Sequence, residues 1–158
     1  MAADRLRRSL LVAGLCWTLG VGCAAQAIEF QLRDLQGQVQ TLEQYRGKWV
    51  LVNFWATWCP PCLEEIPDLV FLHDRNQKKD LVVIGVAMDY KSVGEIREFG
   101  DKMLISYPLV LGDSKVRAQF GRISGLPTTL LYDRKGKLVA QHVGPLTREA
   151  VERYIRGK

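Results

Sequence analysis

KWVLVNFWATWCPPC, residues 48–62, carries two structural signals end to end. Lys48 to Ala56 is apolar nearly throughout, the pattern of a central strand covered on both faces. Cys59-Pro60-Pro61-Cys62 follows at once. Proline suits the first turn of a helix, where its missing N–H has no internal partner in any case. A helix is therefore predicted to open at the cysteines and to run to about Gln77, with Ile66, Leu69, Val70 and His73 on one face. Three residues apart at a helix start, Cys59 and Cys62 share a face and can bond reversibly.

The flanking sequence supplies the other elements. Phe30 to Val39 reads as a short hairpin turning at Asp34-Leu35-Gln36-Gly37, and Leu81 to Ala87 (LVVIGVA) as a second buried strand. Ser92-Val93-Gly94-Glu95 is a capping box ahead of Ile96, Phe99 and Met103 at helical spacing. Leu109 to Leu111 is a short strand, after which Asp113 can cap a short helix that Gly121 ends. Thr128 to Asp133 and Lys137 to Val143 form two strands joined at Arg134-Lys135-Gly136. Thr147 caps a last helix with Ala150, Val151, Tyr154 and Ile155 as its apolar stripe. Strand–helix–strand order with long crossovers implies an α/β domain, a central mixed sheet flanked by helices.

The N-terminus reads differently. Arg5, Arg7 and Arg8 precede Leu10 to Cys23, which carries no charge, and Ala24-Ala25-Gln26-Ala27 ends in an A-x-A pattern. Residues 1–27 have the layout of a secretory signal peptide, leaving residues 28–158 as one domain. An uncleaved membrane anchor is the alternative, although the apolar run is short of the roughly 18 residues that span a bilayer. Lipidation at Cys23 and a twin-arginine signal are weaker readings of the same segment. Each places the domain outside the cytosol. The chain carries 22 basic and 17 acidic residues. Without Arg5, Arg7, Arg8 and Asp4 these fall to 19 and 16, a net charge near +3. No dense basic run points to nucleic acid or to a membrane surface. Nothing suggests an obligate oligomer, and a monomer is expected.

Cysteine usage narrows the chemistry. Of the four cysteines, Cys16 and Cys23 lie in the leader, so the domain keeps one C-x-x-C pair. A bridge across so short a loop constrains the unfolded chain far less than a long-loop disulfide, which makes a purely structural role a poor fit. Cys59, at the helix end, is the expected nucleophile; Cys62, a turn further in, is the expected resolving thiol. The two prolines remove N–H donors that would stabilise a Cys59 thiolate, which points towards a reductant. The competing reading is a metal. Zinc wants four ligands, and only His73 and His142 could join the cysteines. His73 lies about 16 Å along the helix from Cys62 at 1.5 Å per residue. A copper site of Cys59, Cys62 and His142 stays open, while no metal and no cofactor is expected.

Val50 to Cys62, the run Gly125-Leu126-Pro127-Thr128-Thr129 and Asp133-Arg134-Lys135-Gly136-Lys137 together resemble the TlpA/ResA/DsbE branch of thioredoxin-like proteins. The resemblance covers about residues 28 to 157 and implies a thioredoxin-like fold, with Asp89 to Arg122 as the insertion of the TlpA-like branch. It places Pro127 at the family's cis-proline position, opposite the cysteines, with the Leu126 backbone free to pair with an extended substrate. Pro67 matches a helix-kinking proline. Asn53 stands where thioredoxin has a buried Asp that moves a proton, chemistry that an Asn cannot do. Glu65 matches an acidic residue that ResA-like members carry near the site and is the expected proton-handling group. Trp58 is expected to form an apolar lip for partner docking, whereas Trp49 and Trp55 belong to the core.

The resemblance implies an exported thiol–disulfide oxidoreductase that reduces disulfides in periplasmic proteins. Its implied context is cytochrome c maturation, with apocytochrome c cysteines as substrate and a membrane thiol donor restoring the pair. An oxidase or isomerase on the same scaffold is the first alternative, because direction depends on relative potentials. A non-enzymatic copper-binding protein is the second. A peroxiredoxin is disfavoured, since its motif wants a threonine where Ala56 stands.

Overall fold

A computed structural model describes residues 29–158; the leader lies outside the described residues. A hairpin of β1 (Gln31–Arg33) and β2 (Val39–Thr41) comes first. Its turn is set by Asp34, whose Oδ1 accepts the N–H groups of Gln36 and Gln38 at 3.0 and 2.8 Å. Gly37 completes the turn at φ +80°, a conformation that costs glycine nothing.

The quoted apolar run becomes β3 (Trp49–Trp55), buried at every residue. It leads into α1 (Pro60–Asn76), followed by β4 (Leu81–Ala87), also buried throughout. The segment from Asp89 to Arg122 folds as α2 (Val93–Lys102), β5 (Leu109–Leu111) and α3 (Ser114–Ala118). The chain closes with β6 (Thr128–Tyr132), β7 (Leu138–Val143) and α4 (Arg148–Arg156).

The five main strands stand in the order β5-β4-β3-β6-β7. β3 pairs in parallel with β4 and antiparallel with β6, so the sheet is mixed. Both neighbours of β3 are strands and both faces are covered, which is why its sequence shows no alternation. Period-two geometry still divides its side chains. Leu51 and Trp55 join Cys62, Ile66, Leu69 and Val151 in one core, against α1, α2 and α4. Val50, Val52 and Phe54 join Phe30, Phe120 and Tyr132 in the other, beneath the hairpin and α3.

One local expectation is extended and one is corrected. Ser92 caps α2 by accepting the Glu95 N–H, and the Glu95 carboxylate lies by the Ser92 backbone N–H, as a capping box requires. It accepts the Thr57 hydroxyl and the Lys91 N–H, each at 2.7 Å, because the loop ahead of Cys59 lies alongside. On α1 the fully buried residues are Cys62, Glu65, Ile66, Leu69, Leu72 and His73, with Val70 only half-buried. The helix turns its stripe towards both β4 and α4, which brings Leu72 inward. Among the described residues, no helix is long and apolar enough to cross a membrane.

Candidate active site

The junction of β3 and α1 builds the site. Cys59 is the N-cap of α1, and its sulfur is bonded to that of Cys62, with the two Cα atoms 5.3 Å apart. Cys62 is fully enclosed and Cys59 slightly less so. Pro60 and Pro61 offer no N–H, and the N–H groups of Cys62 and Leu63 both donate to the Cys59 carbonyl, at 3.0 and 3.2 Å. The donor that the sequence leaves at Cys62 is therefore already engaged by the backbone. A Cys59 thiolate would gain little direct hydrogen bonding from this turn, and the helix dipole remains its main support.

Glu65, one turn beyond Cys62, points inward and is only 2% exposed. Its Oε1 accepts the Asn53 side-chain amide at 2.7 Å, and its Oε2 accepts the Leu146 N–H at 2.8 Å. Burial outweighs both hydrogen bonds and raises its pKa to about 7. Asn53 also donates to the Thr129 hydroxyl at 3.1 Å, tying β3, α1 and β6 together beneath the disulfide. Asn53 is thus an orienter of the carboxylate and not a proton carrier. Near this cluster stands the enclosed Tyr107, whose phenol is pushed far above its ordinary value by burial and, secondarily, by the Glu65 charge.

Pro127 is preceded by a cis peptide bond from Leu126. It leads into β6, whose Thr128 pairs with Phe54 at the end of β3, so the proline loop and the cysteine turn emerge at the same sheet end. A groove of about 240 Å³ runs between them, with Trp58, Met88, Ile123 and Leu126 as its apolar lining and Asp89 and Arg117 at its charged positions. Trp58 is 61% exposed there, unlike the buried Trp49 and Trp55.

The histidines sit elsewhere. His73 is buried, its Nδ1 accepting the Val83 N–H at 3.2 Å, and burial pushes its pKa below the ordinary value. His142 is on the exposed face of β7, opposite Thr129, with Nε2 at 3.3 Å from the Pro145 carbonyl. Among the described residues, no group of three or more His, Cys, Asp or Glu side chains is placed to hold a metal. The structure brings Glu65 and Asn53, both singled out in the sequence, together beside the Cys59–Cys62 pair, whereas Thr129 and the Leu146 N–H were not singled out as partners of this cluster. Thr129 lies in the quoted Gly125–Thr129 run. Leu146 acts through its backbone, which leaves no side-chain signal, and nothing around Tyr107 marks it in the sequence.

A model of the AhpC/TSA family matches residues 23–141. This chain belongs to the AhpC/TSA family. Its similarity to individual members narrows the activity. It is 33% identical over 138 residues to the thioredoxin-like protein YneN of Bacillus subtilis, covering 87% of this chain and 81% of that one. It is 32% identical to the thiol–disulfide oxidoreductase ResA of Geobacillus thermodenitrificans, covering 92% and 88%. The structure resembles that of a thiol:disulfide interchange protein DsbE from Chlorobium tepidum, with a TM-score of 0.72 and 29% identity over 84% of this chain and 94% of that one. The fold is thioredoxin-like, and this family member is a thiol–disulfide oxidoreductase of the ResA/DsbE type.

Proposed function

We propose that this protein is an exported protein-disulfide reductase of the periplasm, working through Cys59 and Cys62. The observation that carries the thiol–disulfide chemistry is the Cys59–Cys62 bridge at the start of α1, and one turn beyond it lies Glu65, a buried carboxyl with a pKa of about 7. Such a group can exchange a proton in either direction at neutral pH.

The steps follow from the placement of the groups. The Cys59 thiolate attacks one sulfur of a substrate disulfide, forms a mixed disulfide and expels the first substrate thiolate. Glu65 takes the Cys62 proton. The Cys62 thiolate then attacks the Cys59 sulfur, and the second substrate thiolate leaves. Two electrons have passed to the substrate, and the Cys59–Cys62 bridge remains, which is the bond present in the structure. A membrane dithiol donor would return two electrons and two protons. Trp58, Leu126 and Pro127 form the proposed docking face, supported by the groove that joins the first two. Resemblance to the TlpA/ResA/DsbE branch makes apocytochrome c cysteines the proposed substrate and cytochrome c maturation the proposed context. Residues 1–27 are the proposed export signal, or an anchor if retained.

Direction is tested by equilibrating the purified protein in a dithiothreitol redox series and reading thiol state by alkylation, with Cys59→Ser as control. A potential well below about −200 mV is expected of a reductase. A value near −120 mV would instead assign the protein as an oxidase. Failure of the pair to oxidise and reduce reversibly would remove the redox role and revive copper binding.

A further inference from the structure

The end of the sheet opposite the cysteines is built from three segments far apart in sequence: 46–48 ahead of β3, 77–80 between α1 and β4, and 133–137 between β6 and β7. Hydrogen bonds tie them into one surface. The Gly47 N–H donates to the Arg134 carbonyl at 2.9 Å, and the Trp49 N–H to the Asp80 carbonyl at 2.7 Å. Arg134 Nε donates to Asp80 at 3.0 Å, and Arg46 donates to the Lys135 carbonyl. Segment 46–48 carries two cations, 77–80 two and 133–137 three. Four carboxylates answer these seven. Glu29 and Glu43 pair with Arg46, Asp80 pairs with Arg134, and Asp133 accepts the backbone N–H groups of Lys135 and Lys137. Lys78, Lys79, Lys135 and Lys137 are exposed, and none of them forms an ion pair among the described residues. The surplus of three matches the whole net charge, near +3, of residues 28–158. No run in the sequence marks this surface, because three separate segments contribute to it.

The leader joins the domain at the same end. Glu29, the first described residue, lies 3.8 Å from Arg46. Only residues 24–28 separate it from the uncharged stretch Leu10 to Cys23, at most about 20 Å of extended chain. We infer that this surface docks on a membrane that carries anionic phospholipid, with Lys78, Lys79, Lys135 and Lys137 facing the headgroups. Each lysine close to such a surface raises binding about fivefold, and the attraction fades over a screening length of about 8 Å. Signal or anchor, the leader is directed to a membrane, so the charge sits where the chain meets lipid. β3 spans seven residues at about 3.3 Å each, so the Cys59–Cys62 pair stands roughly 20 Å from the docked end, turned towards exported substrates in solution.

Amine acetylation of the full chain reconstituted in vesicles, read lysine by lysine by mass spectrometry, tests it. In equimolar phosphatidylglycerol and phosphatidylcholine, the four lysines should react at least about fivefold more slowly than in phosphatidylcholine alone. Lys91 and Lys115, exposed on the Asp89–Arg122 segment, should keep their rates. The protection should vanish at about 1 M salt, where the screening length falls to about 3 Å. Lys135→Glu combined with Lys137→Glu should abolish the protection of Lys78 and Lys79, in a protein whose dithiol–disulfide equilibrium with dithiothreitol matches the wild type. Equal acetylation in the two kinds of vesicle overturns the inference. Equal slowing of Lys91 and Lys115 also overturns it, because the leader alone would then be pressing the whole domain against lipid. Protection of Lys78 and Lys79 that survives salt or the double variant does the same, since it would owe nothing to charge.

Discussion

Glu65 couples the chemistry of the site to the stability of the fold. Its pKa rises from 4.5 to about 7 on folding, chiefly through burial. Folding thus favours the protonated form. The contribution is fully present below pH 4.5 and is lost as pH rises through about 7, with a limiting size of about 3 kcal/mol. Urea unfolding of the oxidised protein should show stability falling over that window, and Glu65→Gln should flatten the fall. An equal slope in both proteins would mean that the carboxyl is solvated in solution. Trp58 makes the opposite case, because a side chain 61% exposed contributes little to the fold. Trp58→Ala is expected to change stability by no more than about 0.5 kcal/mol while raising KM for a peptide disulfide. Loss of stability without a change in KM would place Trp58 in the core and remove it from the docking face.

At the scale of elements, the cap of α2 reaches into the site. Ser92 accepts the Glu95 N–H at 3.1 Å, and Glu95 itself holds Thr57, two residues before Cys59. Ser92→Ala should cost about 1 kcal/mol, the usual worth of an N-cap, and leave the rate of Cys59 attack unchanged. Glu95→Ala should alter that rate, because it frees the loop from which Cys59 projects. Identical kinetics in the two variants would show that the Thr57 contact does not position the nucleophile. The sequence signals for this region were local and therefore legible: Ser92, Asp113 and Thr147 each cap the helix that follows them. The Thr57 contact of the Glu95 carboxylate was not legible, since a capping box specifies the backbone within its own turn and says nothing of a neighbouring loop. Glu65 shows the same divide. Its spacing from Cys62 could be read, but its burial depends on β6 and on the segment entering α4, distant in sequence and joined only by the fold.

At the scale of the whole molecule, the sheet separates two cores with different duties. The face carrying Leu51, Asn53 and Trp55 meets the cysteines and Glu65, while the other meets the hairpin and α3. Phe120 belongs wholly to the second core, with ring centroids 5.4 Å from Phe30 and 5.1 Å from Phe54. Removing it leaves a cavity that the neighbouring aromatic rings cannot fill, so Phe120→Ala should cost about 3–5 kcal/mol. That is a large share of the roughly 5–15 kcal/mol that holds such a domain together. The cost should fall on the folded population and not on the chemistry of the molecules that remain folded. Measured at low temperature, where Phe120→Ala is still folded, the dithiol–disulfide equilibrium of Cys59 and Cys62 with dithiothreitol should match that of the wild type. Residues in contact couple strongly and distant ones add nearly independently, and here β3 stands between the two sites. A shifted equilibrium in Phe120→Ala would mean that β3 transmits packing changes from one face to the other, and that the hairpin and α3 help to set the redox pair.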